Sequence, residues 1–215
     1  NSSTCSFTVN VEDNQLPSPV CKNITVQLDG TGSITIAPEE VDNGSSDNCP
    51  GFVLSLDKTS FDCTNLDDNT VTLTVTDEDG NINTCTATVT VQDVTPPVAV
   101  CKDITVQLNA TGSVTVNGSD VNNNSTDNST CDLTYLVSKT EAGTYASSVD
   151  YVCGEVGTQT LYLKAKDLAG NESLAACTST VIVQDTVAPT ALCKNITVQL
   201  DASGNYTMSD NEIDN

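Results

Sequence analysis

The sequence has no histidine and no tryptophan, and every one of its seven cationic residues is lysine. Without an imidazole the chain lacks the usual general base, the commonest metal-site nitrogen and any histidine-based triad, so most enzyme chemistry is improbable and no catalytic residues are assigned. Positive charge is also scarce: 29 Asp and Glu give a net charge of −22. A surface of that sign cannot displace counterions from phosphates, which argues against nucleic acid and anionic membranes as partners. No apolar run approaches the roughly 18 residues of a membrane helix, so no membrane insertion is expected. Residues 1–5 have neither the basic nor the apolar part of a signal peptide, and any signal or anchor is expected outside this sequence. Aromatic residues make up 4% of the chain, thin for one large core, so several small modules are expected.

What the chain does have is cysteine and repetition. Ten Cys, with no C-x-x-C pair and no His, argue against zinc and for disulfides in an oxidising setting, extracellular or on a cell surface. CKNITVQL at Cys21–Leu28 returns as CKDITVQL at Cys101–Leu108 and again as CKNITVQL at Cys193–Leu200, with periods of 80 and 92 residues. A second string precedes each: TCSFTVNVED ending at Asp13, TCTATVTVQD at Asp93 and ACTSTVIVQD at Asp185. Pro-bearing linkers follow these strings. The division is therefore 1–13 as the last strand of a preceding repeat, 14–93 and 94–185 as complete repeats, and 186–215 as the first strands of a following one. The whole reads as a segment of a longer array whose immediate partners are its neighbouring repeats.

Within a repeat, apolar residues alternate with Thr, as at Val71, Leu73 and Val75, the period of a half-buried strand. LDGTGS (28–33) and LNATGS (108–113) predict a turn joining an opening strand hairpin, and Asp77–Asn81 and Asp167–Asn171 predict the turn between the last two strands. Seven or so short strands per repeat indicate an all-β antiparallel sandwich of the immunoglobulin or fibronectin type III kind, repeated end to end. In that topology the first and last strands run side by side, which predicts Cys21 with Cys85 and Cys101 with Cys177. Cys49 and Cys63 sit symmetrically about Leu56, and Cys131 and Cys153 about Ala142, which predicts two cross-hairpin bridges. Cys5 and Cys193 are left for partners in adjacent repeats.

The succession D-x-T-P-P-V-x-x-C, T/S-D-N with a Cys close behind, T-V-T-L-T-V-T-D-x-x-G-N and C-T-A-T-V-T-V resembles hyalin-repeat (HYR) modules and related bacterial Ig-like repeats. The resemblance is to the four-Cys version in giant surface adhesins, the SprB-like gliding adhesin type, and covers essentially the whole chain. It implies an extracellular stalk or adhesive array, often calcium-dependent, serving adhesion and possible gliding motility.

The acidic residues can also be placed by topology alone. Three carboxylate-bearing segments converge at each junction: Asp13 with Asp42, Asp47, Asp77 and Asn81 at the first, Asp93 with Asp120, Asp127, Asp167 and Asn171 at the second, and Asp185 opening a third. Oxygen ligands of this kind suit calcium. Asp, Asn and Gly are equally the residues of ordinary turns, and both readings stand at this level. DEDGN at Asp77–Asn81 is no EF-hand loop, because Ile82 replaces the required Gly. Tyr135, Tyr145 and Tyr151 gather on the enlarged 131–153 hairpin, a candidate patch for a protein or polysaccharide ligand. The functional expectation is a structural stalk or adhesive array. A binding module on that hairpin and a subunit of an extracellular filament or surface layer are the alternatives.

Overall fold

Alternation decides which face each long strand buries. In β5 (Asp67–Asp77), Val71, Leu73 and Val75 are wholly buried while the Thr residues between them are half-buried or exposed. β6 (Ile82–Gln92) turns Ala87, Val89 and Val91 to the same side. The computed structural model, which describes residues 1–209, pairs these two strands as an antiparallel hairpin flanked by β1 (Ile24–Gln27) and β3 (Phe52–Leu56), in the order β1-β6-β5-β3. The opposing layer is a two-stranded sheet of β2 (Ser33–Thr35) and β4 (Ser60–Asp62), followed after β2 by the single-turn helix α1 (Pro38–Val41). Leu28, Ile36, Val41 and Phe61 close one core against Val71, Ala87, Val89 and Val91.

The second module repeats the plan. β7 (Ile104–Gln107), β12 (Cys177–Gln184), β11 (Gly157–Lys166) and β9 (Thr134–Ser138) form its larger sheet. β8 (Ser113–Asn117) and β10 (Ser148–Val152) form the smaller one, with α2 (Gly118–Val121) after β8. Tyr151 takes the place of Phe61 in a separate core with Leu161, Leu163, Val181 and Val183. The chain is thus all-β, two disulfide-stapled sandwiches in tandem. No helix among the described residues is long and apolar enough to cross a membrane.

Two expectations are corrected. The opening hairpin is not a hairpin: the 29–33 turn forms, with Gly32 N–H donating to Asp29 O at 2.9 Å, but β1 pairs in parallel with β6 while β2 pairs with β4. The turn carries the chain from one sheet to the other.

β3 and β4 likewise lie in different sheets, and they run in the same direction. Phe52 pairs with Asp77 beside the β5–β6 turn, whereas Asp62 pairs with Ser33 beside the 29–33 turn at the opposite end. The chain does not return after Leu56; it crosses the module from entry pole to exit pole.

Residues 1–13 and 186–209 form no strand. Phe7, Val9 and Val11 are exposed, because a strand needs a neighbour to complete its ladder and none of the described residues pairs with them. The remainder of the expected following repeat, 210–215, lies outside the described residues.

Candidate functional site: the junction between modules

The direction of β3 and β4 decides the cysteine pairing. The eleven residues from Phe52 to Asp62 cross the module from one pole to the other, a span of up to about 33 Å when extended, whereas a disulfide tolerates Cα separations of only about 4.4–6.8 Å. Cys49 at the entry pole therefore cannot reach Cys63 at the exit pole, and the expected bridges Cys49–Cys63 and Cys131–Cys153 are not formed. Cys63 bonds instead to Cys131 of the second module, with Cα atoms 6.1 Å apart. Cys21–Cys85 and Cys101–Cys177 close each module between its first strand segment and its last strand, at 5.9 and 5.8 Å. Cys5, Cys49, Cys153 and Cys193 are free and exposed.

The loop carrying Cys131 is seated on the first module's 29–33 turn. Asn128 Nδ2 donates to Asp29 O at 2.9 Å. Gly32 has φ of +70°, and a Cβ there would lie 2.5 Å from Ser129 Cα and 2.7 Å from Asn128 O, so both the conformation and the close approach call for glycine. Beside this contact, Leu66, Val91, Asp93 and Val94 share a cleft of about 300 Å³ with Leu168 and Ala169 of the β11–β12 turn. Neither Asn128 nor Gly32 was expected from sequence to make this contact, although the recurring T/S-D-N and T-G-S triplets carried the signal.

The acidic residues meet on the same seam. Asp93, Asp127 and Asp167 each offer a carboxylate oxygen within 4.8 Å of the others. Asp93 and Asp167 are buried, at 7% and 6% exposure. Asn171 ties them together, its Nδ2 donating to Asp93 O at 3.0 Å and Asp167 Oδ2 at 2.7 Å and its N–H to Asp167 Oδ1 at 2.7 Å. Asp127 Oδ2 accepts from Ser129 Oγ at 2.7 Å, while Asp127 Oδ1 and Asn128 Oδ1 are buried with no hydrogen-bond partner. Among the described residues the ion pairs are Lys139–Glu155 and Lys164–Glu172, so no lysine neutralises this cluster. Three close carboxylates, orphaned buried oxygens and no compensating cation make a donor set that fits a hard, oxygen-loving ion such as calcium.

At the first module's entry pole the trio is Asp13, Asp47 and Cys49. Asn81 donates to Asp13 O at 3.0 Å and to both Asp77 oxygens, at 2.7 and 2.8 Å, and Asp47 Oδ1 is again buried and unpartnered. Desolvation raises the Asp77 pKa, but the hydrogen bonds from Asn81, Gly80 and Asp79 outweigh it and hold the carboxyl below its ordinary value. Asp13 is also lowered, chiefly by the Gln15 N–H. A hydrogen bond to Asp13, with partial desolvation and the charges of Asp13, Asp47 and Asp79, pushes the Cys49 thiol up to about 11.

Three expected ligands, Asp42, Asp120 and Asp185, belong to neither trio. Asp42 accepts from the N–H groups of Gly44 and Ser45, at 3.2 and 3.0 Å, as a turn residue does. Asp120 accepts from Asn117 N–H at 2.8 Å and closes the start of α2. Asp185 accepts from Val187 N–H at 3.0 Å at the far end of the second module. The tyrosines of the 131–153 segment are turned to internal use. Tyr151 is buried with Lys139 over its ring at 4.4 Å, and Tyr145 packs under Lys164 at 5.0 Å and donates to Glu141 O.

No family model matches the sequence, and no curated protein matches it. Among solved structures, human mucin-like protocadherin EC1-2 is similar at a TM-score of 0.43 and 15% identity, covering 80% of this chain and 100% of that one. Human desmocollin-1 ectodomain is similar at 0.37 and 10%, covering 85% and 39%. Titin domains I67-I69 are similar at 0.34 and 9%, covering 80% and 64%. At these scores and identities the likeness carries nothing to individual residues or to a role.

Proposed function

We propose that the chain is a structural stalk segment of an extracellular adhesive array, of the hyalin-repeat or bacterial Ig-like kind, in which each junction is fixed twice: by a disulfide between modules and by calcium among the junction carboxylates. The observation that carries this reading is the Cys63–Cys131 bond beside the Asp93, Asp127 and Asp167 cluster. Flexible linkers make poor spacers, and a covalent tie plus an ionic one removes the hinge that the 93–97 linker would otherwise provide. Asp93, Asp127 and Asp167, with the Asn128 side-chain oxygen, are the residues that would hold the ion. When bound, it replaces mutual repulsion with attraction on one seam. Such an array holds a distal surface away from the cell and has no catalytic role. A gliding adhesin is one setting in which it would serve, with the surface ligand, protein or polysaccharide, engaged elsewhere in the parent protein. The buried Tyr151 and the lysine-covered Tyr145 give no specific support to a ligand patch on the 131–153 segment.

Calorimetry and small-angle scattering with and without chelator test the proposal. At 100-fold excess over its dissociation constant, calcium is expected to add about 2.7 kcal/mol of stability, lost on chelation. An unchanged melting temperature and unchanged scattering after chelation would return these aspartates to turn chemistry.

A further inference from the structure

The second module carries at its far end the same parts with which the first module grips its neighbour. The 109–113 turn repeats the 29–33 turn, with Asn109 N–H donating to Ser113 O at 2.9 Å and Gly112 N–H to Asn109 O at 2.9 Å. Gly112 has φ of +76°, matching the +70° of Gly32. Cys153 opens a 3₁₀ turn as Cys63 does, and its Sγ lies 3.5 Å from Gly112 O. Asp185 receives Val187 N–H as Asp93 receives Thr95 N–H. Together Gly112, Cys153, Asp185, Val187 and Pro189 border an open cleft of about 470 Å³. The matching seat one module earlier is filled by the Asp127–Cys131 loop, where Gly32 meets Ser129 and Asn128 and Cys63 meets Cys131.

We propose that this cleft is a socket for the entry loop of a further module of the same chain, latched by a disulfide from Cys153 to a cysteine lying one to three residues behind a Ser/Thr-Asp-Asn triplet. By the same rule Cys49, behind Ser46-Asp47-Asn48, is the loop cysteine facing a module before it. The proposal rests on the reading that residues 186–215, with CKNITVQL at Cys193–Leu200, open such a module. The chemistry is thiol–disulfide exchange with an oxidised dithiol oxidoreductase. One cysteine thiolate attacks the oxidant's disulfide, the second displaces it from the mixed disulfide, and the oxidant leaves as a dithiol carrying both electrons and protons. The array would then be a continuous covalent chain of modules, with two cysteines per module closing the sandwich and two spent on its neighbours.

Non-reducing peptide mapping of the parent chain extended through the module begun at residue 186, with free thiols alkylated at harvest, tests this. The expected result is a Cys153 peptide joined to a downstream peptide of the Ser/Thr-Asp-Asn kind, and one newly alkylated downstream thiol in C153S. In Gly112→Asn, which keeps the left-handed turn but puts a Cβ 2.5 Å from Cys153 Sγ and so displaces that sulfur, the Cys153 cross-link should be lost while Cys101–Cys177 remains as proof of folding. Recovery of Cys153 as a free thiol, its linkage to Cys131 or Cys49, or a following module without a cysteine behind that triplet would overturn the latch. The map does not depend on calcium. A latch found without any chelator response therefore sinks the ion alone, and a chelator response without the latch sinks the socket alone.

Discussion

The entry poles of the two modules are built from the same residue types and end in different states. At the second, the preceding module covers the pole. Asp93 and Asp167 are buried, Cys131 is bonded and Asn128 is anchored on Asp29. At the first, the corresponding Asn48 turns back to Asp13 at 3.1 Å, and Cys49 is exposed with its thiol held by the same carboxylate. At the second pole the Thr126–Cys131 loop is thus completed by the first module's exit turn, whereas at the first the Ser46–Cys49 loop has no such partner among the described residues.

The largest effect expected from breaking this comparison separates the two kinds of disulfide. Replacing Cys21 and Cys85 by Ala should cost the first module about 4 kcal/mol in urea unfolding, the chain-entropy value for a closed loop of this length. Replacing Cys63 and Cys131 opens a loop of similar length, a sequence separation of 68 against 64, so a comparable chain-entropy cost should be shared by both modules, and the inter-module distances in small-angle scattering should widen, which loss of Cys21–Cys85 should not cause. An unchanged distance distribution after loss of Cys63–Cys131 would show that the junction bond does not orient the modules. Next in size is the ion. D127N combined with D167N should abolish the calcium-dependent gain of about 2.7 kcal/mol, whereas D42N and D120N should leave it intact, because those carboxylates serve local turns.

A third test addresses the uncovered pole. From an ordinary value of 9.0, the Cys49 thiol rises to about 11, so at neutral pH it carries about a hundredfold less thiolate. D13N should accelerate its alkylation by iodoacetamide, and an unchanged rate would remove Asp13 as the cause.

The smallest effect compares the two exit caps. In the first module Asp62 accepts from Thr64 Oγ1 at 2.6 Å and Thr64 N–H at 2.8 Å, and these bonds lower its pKa from 3.8. In the second module Val152 stands at that position, and Glu155, lowered chiefly by its hydrogen bond from Lys139, accepts from Val152 N–H at 3.0 Å. Both are depressed carboxylates. Their contribution is present above the ordinary carboxylate range and is lost as pH falls through the lowered values, so both modules should melt earlier below about pH 4. D62N should flatten that dependence in the first module only, as read by thermal denaturation across pH 2–5.

Much of the fold was legible because alternation is a local property. Val71, Leu73 and Val75 declare a buried face whatever lies opposite. The direction of the chain beyond Leu56 was not legible in the same way. A hairpin and a strand that changes sheets present the same pattern of apolar residues, turn residues and flanking cysteines. The candidate site was half legible for a related reason. Asp13, Asp47, Asp93, Asp127 and Asp167 were placed at poles by strand order, and Asp42 and Asp120 were placed there too; their hydrogen bonds from Ser45 and Asn117, which set them apart from the two trios, are invisible in the sequence.

Taken by itself, the sequence determined the repeat, the strand faces and an acidic chain rich in cysteine, because composition and short-range periodicity suffice for those. The tertiary structure alone decided that Cys63 belongs to Cys131. A disulfide forms only between sulfurs brought into contact, and which sulfurs meet depends on how ladder pairing sends β3 and β4 from one pole of the module to the other.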